Sequence, residues 1–231
     1  MGDKMEQEVK GRAADYDHLA WIRGVDLDLF AKKSLLDLGC GSGFLCELAA
    51  RQGASRIVGV DLVKPEHAHS GRWNYYSVDL NQRFWPEEIC GAEKLQTGFD
   101  RIIACDIIEH LDAPVSFLTG CWRLLAPEGI LFLTTPNSLS WECLLRPKTW
   151  SGAQDPQHRI LFTAYSLGFL LERTGFKIKL LRAPIRALGR CSNFLPPIGG
   201  QLLCVAERDP SHLEEKNPPL CDFQSPAATF K

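Results

Sequence analysis

The residues of this chain best suited to chemistry begin where an apolar run meets an acid. Leu35-Leu36-Asp37-Leu38 is followed at once by Gly39-Cys40-Gly41-Ser42-Gly43, with glycines at alternate positions, and then by Phe44 and a helical pattern. Glycine lets a backbone turn sharply and approach a ligand closely, because no Cβ stands in the way. The N-terminus of the following helix offers free N–H groups and the positive end of its dipole. A second apolar run, Ile57-Val58-Gly59-Val60, ends in Asp61, where a ribose diol requires an acceptor. This is the layout of a nucleotide site. It departs from the dinucleotide fingerprint G-x-G-x-x-G, because the sixth position is Phe44 rather than glycine, and that glycine is the one that permits close helix–strand packing. A tight strand-to-helix turn without a ligand is the alternative reading.

Such residues need a scaffold that gathers strand ends. From Ser34 to Asn137, short apolar runs alternate with helical patterns, which implies βαβ units, a parallel sheet and an α/β fold. Strands are expected near 34–38, 56–60, 73–78, 99–105 and 129–135. One helix is expected from Phe44 to Arg51, stopped by Gly53, and another from Val115 to Leu125, with Pro114 near its start and Pro127-Glu128-Gly129 ending it. Tyr165 to Arg173 reads as a helix, and Phe176–Leu181 and Gln201–Glu207 read as two final strands around a Pro- and Gly-rich loop. Ligands of open α/β sheets bind at the carboxyl ends of the strands. The candidates collect there: Asp37 to Gly43, Asp61, Asp79, Cys105 to His110, and Pro136-Asn137 after successive strands.

The chain has 231 residues, enough for one such domain over 1–208, with 1–33 as an N-terminal helical segment and 138–164 as a lid-like connection. Residues 209–231 carry four prolines and little periodicity, and are expected not to pack. The formal charge of −2 excludes a bulk basic field for nucleic acid. No apolar run approaches the roughly 18 residues of a membrane span, and the polar stretch from Met1 to Arg12 is no signal peptide. The nine cysteines are odd in number, lack a C-x-x-C pair and mostly sit inside apparent elements, which points to free thiols in a reducing cytoplasm.

Taken together, the motifs resemble those of the class I S-adenosylmethionine-dependent methyltransferases. Asp37 to Gly43 resembles their first motif, and Tyr76-Ser77-Val78-Asp79-Leu80 the end of their third strand. Phe99 to Leu111, with Cys105-Asp106 and Glu109-His110-Leu111, resembles the fourth strand and its exit. Leu124 to Asn137 resembles the following helix, Pro-x-Gly turn and fifth strand. Asp155 to Thr163 is similar to the corresponding region of the ubiquinone-type O-methyltransferases, and the likeness covers about residues 30 to 208. It implies a Rossmann-like doubly wound sheet, mostly parallel with an antiparallel last strand, and S-adenosyl-L-methionine as cofactor. The resemblance places the cofactor's amino-acid end on Asp37, Gly39, Gly41, Gly43, Cys105 and Asp106. It places the ribose on Asp61, the adenine amine on Asp79, and the ring between Leu62 and Leu80. Plainer roles stand beside these: Asp37 orients the glycine loop, Asp61 caps a strand, and Asp79 opens a turn.

Methyl transfer from a sulfonium is an in-line displacement, so the protein chiefly positions donor and acceptor. His110 and His158 are the candidates for a general base, since imidazole titrates near neutral pH. A structural role for His110, bonding backbone beside a capping Glu109, is the alternative. No metal site is expected: His67-Ala68-His69 reads as a loop. The aromatic and apolar stretch from Ser140 to Trp150 reads as a lid, a packing helix or a shallow membrane foot. The expected partner is a small-molecule acceptor methylated at oxygen, with apolar or lipid-like compounds among the possibilities; the oligomeric state is left open. A nicotinamide-dependent oxidoreductase and a non-catalytic binding protein are the competing functions; the former lacks a Tyr-x-x-x-Lys pair here.

Overall fold

A computed structural model of the chain describes residues 30–65, 71–185 and 197–211. The expected N-terminal helix, His67-Ala68-His69, most of the proline-rich loop after residue 185 and nearly all of the C-terminal tail lie outside the described residues.

The apolar runs form strands as their spacing demands. β1 (Ser34–Leu38), β2 (Arg56–Asp61), β3 (Asn74–Ser77), β4 (Phe99–Cys105), β5 (Leu125–Pro136), β6 (Phe176–Arg182) and β7 (Gln201–Arg208) make one sheet in the order β3-β2-β1-β4-β5-β7-β6. The pairs from β3 to β5 are parallel, whereas β7 runs antiparallel to both β5 and β6. The single antiparallel strand is therefore where the sequence places it. Strand order reverses direction between β1 and β4, and a reversal of this kind opens a crevice at the carboxyl edge.

Helices α1 (Phe44–Arg51), α2 (Trp85–Glu93), α3 (Pro114–Leu124) and α6 (Ala164–Arg173) cover the sheet, and two short helices, α4 (Trp141–Leu145) and α5 (Ser151–Gln154), lie in the connection after β5. Side chains alternate between the sheet's faces, as period two requires. Leu36, Val58, Ile102, Leu131 and Leu133 join one core with Trp85, Phe117, Trp122 and Phe176. Leu35, Ile57, Ile103, Phe132 and Val205 join a second core with Phe30, Trp73, Cys46 and Ala49. The described cysteines are free, and Cys40, Cys46, Cys121 and Cys204 are buried.

Two expectations are corrected. The fifth strand begins at Leu125 rather than near 129: Leu125 pairs with Phe99 and Ile130 with Arg101, so residues 126–129 form an irregular step inside the strand. Gly98 and Gly129 make the step possible. A Cβ on Gly98 would lie 2.6 Å from the Ala126 nitrogen, and one on Gly129 would lie 2.8 Å from the Phe99 carbonyl oxygen. The second correction is α2, which the sequence does not announce. It buries only Trp85, Pro86 and Ile89, and Gly91 interrupts its pattern. Its anchor is a fully buried Trp85 packed on Phe117 with ring centroids 5.8 Å apart.

Candidate active site

The glycine turn takes its shape from β2. Gly39 and Cys40 both donate their N–H to the Val60 carbonyl, at 2.8 and 3.0 Å, which folds the chain back as soon as β1 ends. Gly39, Gly41 and Gly43 have φ of 75°, 51° and 77°, a region that residues with a Cβ enter at a cost. Gly43 is doubly constrained, since a Cβ there would stand 2.6 Å from the Trp73 ring. Gly59 in β2 meets the same ring, at 2.7 Å. Trp73, buried, thus wedges the turn against β2, and its Nε1 donates to Glu47 Oε1 at 2.9 Å in the first turn of α1. The sequence signal for it is the lone Gly59 inside a strand, a mark of close approach.

Asp61 closes the turn from the other side. Its carboxylate accepts from Gly41 N–H at 2.9 Å and from Val63 N–H at 3.2 Å. An ionised carboxylate has about four acceptor positions, so bracing the loop leaves capacity for a diol. Leu62, beside it, is largely exposed. Asp79 accepts from Asn81 N–H at 2.9 Å, the turn role weighed above, while Leu80 is packed into the core. Asp106 stands at the exit of β4 with φ of 49°. Its Oδ1 accepts from Thr134 Oγ1 at 2.9 Å and from Gln201 Nε2 at 2.6 Å, which fixes the carboxylate over β5 and β7. Cys105 is half-buried next to it, and burial raises its thiol well above the ordinary range.

Asp37 is buried within the sheet, at the end of β1 that leads into the glycine loop. Burial pushes its carboxyl up to about 7, with the Cys46 thiol, 3.5 Å away, donating to it and Asp61 adding repulsion.

The fourth strand leads into a single helical turn, Ile108–His110, and there the two candidate histidines meet. The Glu109 carbonyl accepts from Arg159 N–H at 2.8 Å and from Ile160 N–H at 3.2 Å, tying the segment after β5 to the exit of β4. An ion pair between Arg159 and Asp112 closes the same junction. The rings of His110 and His158 are 4.7 Å apart, edge to face. His110 Nδ1 lies 3.2 Å from the Gln157 carbonyl and His158 Nδ1 lies 2.7 Å from the Gly152 carbonyl. A carbonyl only accepts, so each neutral ring carries its proton on Nδ1 and leaves a lone pair on Nε2. Glu109 is 1% exposed. Its Oε2 accepts from Thr135 Oγ1 at 2.9 Å, while its buried Oε1 has no hydrogen-bond partner among the described residues. Burial, reinforced by Asp106, raises this carboxyl to about 8. One ligand-capable atom from each of Glu109, His110 and His158 lies within 4.8 Å of the others.

Asn137 is the feature whose part is structural. Fully buried, it donates through Nδ2 to the carbonyls of Pro197 at 2.9 Å and Gly199 at 2.8 Å, clamping the end of β5 to the approach of β7.

Glycine turn, strand-end acids and sheet order converge on one family, and comparison with known proteins agrees. The family described as a methyltransferase domain matches residues 14–181. The chain belongs to the class I S-adenosylmethionine-dependent methyltransferases. A ubiquinone biosynthesis O-methyltransferase of Actinobacillus pleuropneumoniae is 38% identical over 120 residues, 47% of each chain. One of Psychrobacter arcticus is 31% identical over 137 residues, 58% of this chain and 51% of that one. The chain thus spans about half the length of the curated relatives it matches. Among solved structures, a Burkholderia thailandensis 1,6-didemethyltoxoflavin-N1-methyltransferase with bound 1,6-didemethyltoxoflavin and S-adenosylhomocysteine superposes with TM-score 0.57 at 20% identity, covering 90% of this chain and 86% of that one. At that identity the likeness speaks for the fold. No helix among the described residues is long and apolar enough to cross a membrane.

Proposed function

We propose that this methyltransferase transfers the methyl group of S-adenosylmethionine to an oxygen of a small-molecule acceptor. The observation that carries the reading is the convergence of two sites on one sheet edge. One is the candidate nucleoside site, the Gly39–Gly43 turn with Asp61 accepting from Gly41 N–H at 2.9 Å. The other is the group of Glu109, His110 and His158 at the exit of β4.

In this reading Asp61 receives the ribose hydroxyls, the loop N–H groups and Asp106 receive the amino-acid end, Asp79 faces the adenine, and Leu62 covers the ring. The cofactor supplies the electrophilic methyl. Bound there, the cofactor would supply that carbon to the acceptor oxygen, leaving S-adenosylhomocysteine and a methyl ether. The acceptor loses its hydroxyl proton at the Glu109, His110 and His158 group, a step worth about 10²–10⁴-fold when the group is well placed. The exposed apolar side chains of the 138–164 connection, Trp141, Leu144 and Leu145, favour an acceptor with apolar bulk. The O-methyltransferase relatives support oxygen as the methylated atom.

The test is a panel of phenols, catechols, alcohols and amines offered with S-adenosylmethionine, followed by S-adenosylhomocysteine formation and mass analysis of products. Methyl ethers are expected, from apolar hydroxylated acceptors above all. Turnover confined to amines would overturn the assignment to oxygen.

A further inference from the structure

The group formed by Glu109, His110 and His158 has a composition that proton transfer alone does not call for. One base suffices to take one proton. Here two imidazoles and a carboxylate come together, and each has been prepared in the same way. Both histidines give their Nδ1 protons to backbone carbonyls, at Gln157 and Gly152. Metal-ligating histidines are oriented in this manner, the second nitrogen fixing the tautomer and the plane of the ring. Glu109 is held through Oε2 by Thr135, which leaves Oε1 buried and unpartnered among the described residues. A buried carboxyl oxygen without a hydrogen-bond partner is costly unless something completes it. The nearest guanidinium in sequence, that of Arg159, is engaged with Asp112.

We propose that Glu109, His110 and His158 bind a divalent first-row transition-metal ion, and that this ion receives the acceptor oxygen. The inference rests on the methyltransferase reading only for the second half of that statement. Two nitrogen donors and one oxygen donor suit Zn²⁺, Co²⁺, Fe²⁺ or Mn²⁺ better than Mg²⁺, which prefers oxygen ligands and retains water. One ligand-capable atom from each of the three residues lies within 4.8 Å of the others. Ligands at about 2.1 Å from a metal stand about 3.0–3.5 Å apart at octahedral or tetrahedral angles, so metal binding requires the three side chains to draw closer. Asp155 Oδ2 lies 3.8 Å from His158 Nε2. Asp106 stays out of the set, because Thr134 and Gln201 hold its Oδ1.

Three protein ligands leave positions open for the acceptor. A hydroxyl bound there becomes acidic, as metal-bound water does. Its proton leaves to solvent, and the metal-bound oxygen attacks the methyl carbon while the carbon–sulfur electron pair returns to sulfur. No oxidant or reductant takes part. The two histidines then act as ligands, and the ion performs the acidification assigned above to the group as a whole.

The test is a titration of the full-length protein with Co²⁺ and Zn²⁺, read by calorimetry and by the visible absorption of bound Co²⁺. The expected result is a single site, with Mg²⁺ binding far more weakly. His158→Ala should weaken Co²⁺ binding by more than about 100-fold, the upper end of what loss of an outer-shell partner costs. Glu109→Gln, which keeps an oxygen for Thr135 to donate to, should do likewise and guards against misfolding in the alanine variant. Both variants should bind S-adenosylhomocysteine like the wild type. A His67→Ala/His69→Ala double variant removes the other closely spaced histidines and should retain Co²⁺ affinity. A protein that binds S-adenosylhomocysteine but takes up no Co²⁺ or Zn²⁺ would overturn the metal site and leave the methyltransferase reading standing. Wild-type Co²⁺ affinity in both His158→Ala and Glu109→Gln would overturn it too, as would equal affinity for Mg²⁺ and Zn²⁺.

Discussion

Asp37 should make this protein less stable as the pH rises through neutrality, and Asp37→Asn should remove the effect. The carboxyl sits at 3.8 in an ordinary environment and is pushed up to about 7 in the fold, chiefly by burial. Its folded state therefore holds a proton that the unfolded chain has released. Between those two values the native state binds more protons, so stability falls with increasing pH, and the loss is complete only above the folded value. The linked free energy is about 4 kcal/mol in full, of which about 2–3 kcal/mol falls between about pH 5 and about pH 8. The amide of the Asp37→Asn variant cannot ionise, and its oxygen can still accept from the Cys46 thiol. The stability of the variant relative to wild type should thus grow by about 2–3 kcal/mol over that interval, with the two proteins closest at the acid end. Urea unfolding of both proteins, without cofactor, at several pH values measures it. Parallel curves across the range would show that the Asp37 carboxyl is not held protonated and would refute the reasoning. A variant that loses ground as the pH rises would show that the carboxylate form is the stabilised one.

Asp61→Ala should weaken S-adenosylhomocysteine binding by about 1.5–3 kcal/mol, the scale of hydrogen bonds to a charged group, with the protein still folded; calorimetric titration checks it. Gly43→Ala should both lower the melting temperature and weaken the same ligand, because the added Cβ meets the Trp73 ring at 2.6 Å and φ is 77°; circular dichroism melts alongside the titration separate the two losses. Trp85→Ala should cost about 3–5 kcal/mol in urea unfolding, the range for emptying a large buried aromatic site, since Trp85 is fully buried against Phe117.

The parts of this molecule legible in its sequence are those decided locally. The Gly39–Gly43 turn announces itself because only glycine takes those backbone angles easily, and Asp61 because an acid at the end of a buried run has few reasons to be there. The strands of the parallel sheet are near-continuous apolar runs, so β1, β2 and β4 fall within a residue of expectation. The start of β5 does not, because Pro127 and Gly129 read as a break although the chain steps through it and keeps pairing with Phe99. Helix α2 stays hidden because three buried residues make too narrow a stripe to register as a period. His110 and His158 are each legible as polar residues in suggestive places. Their meeting is not, since it depends on Glu109 receiving the backbone of Arg159 and Ile160. The orphaned Oε1 of Glu109 is likewise a property of packing, and no pattern in the chain foretells it.

The most direct test of the cofactor site is calorimetric titration of the purified protein with S-adenosylhomocysteine, with NADH as the competing nucleotide. Saturable one-to-one binding of S-adenosylhomocysteine is expected, weakened in Asp61→Ala, with no binding of NADH. Binding of NADH by a folded protein that ignores S-adenosylhomocysteine would contradict the nucleoside site built here from Gly39 to Asp61.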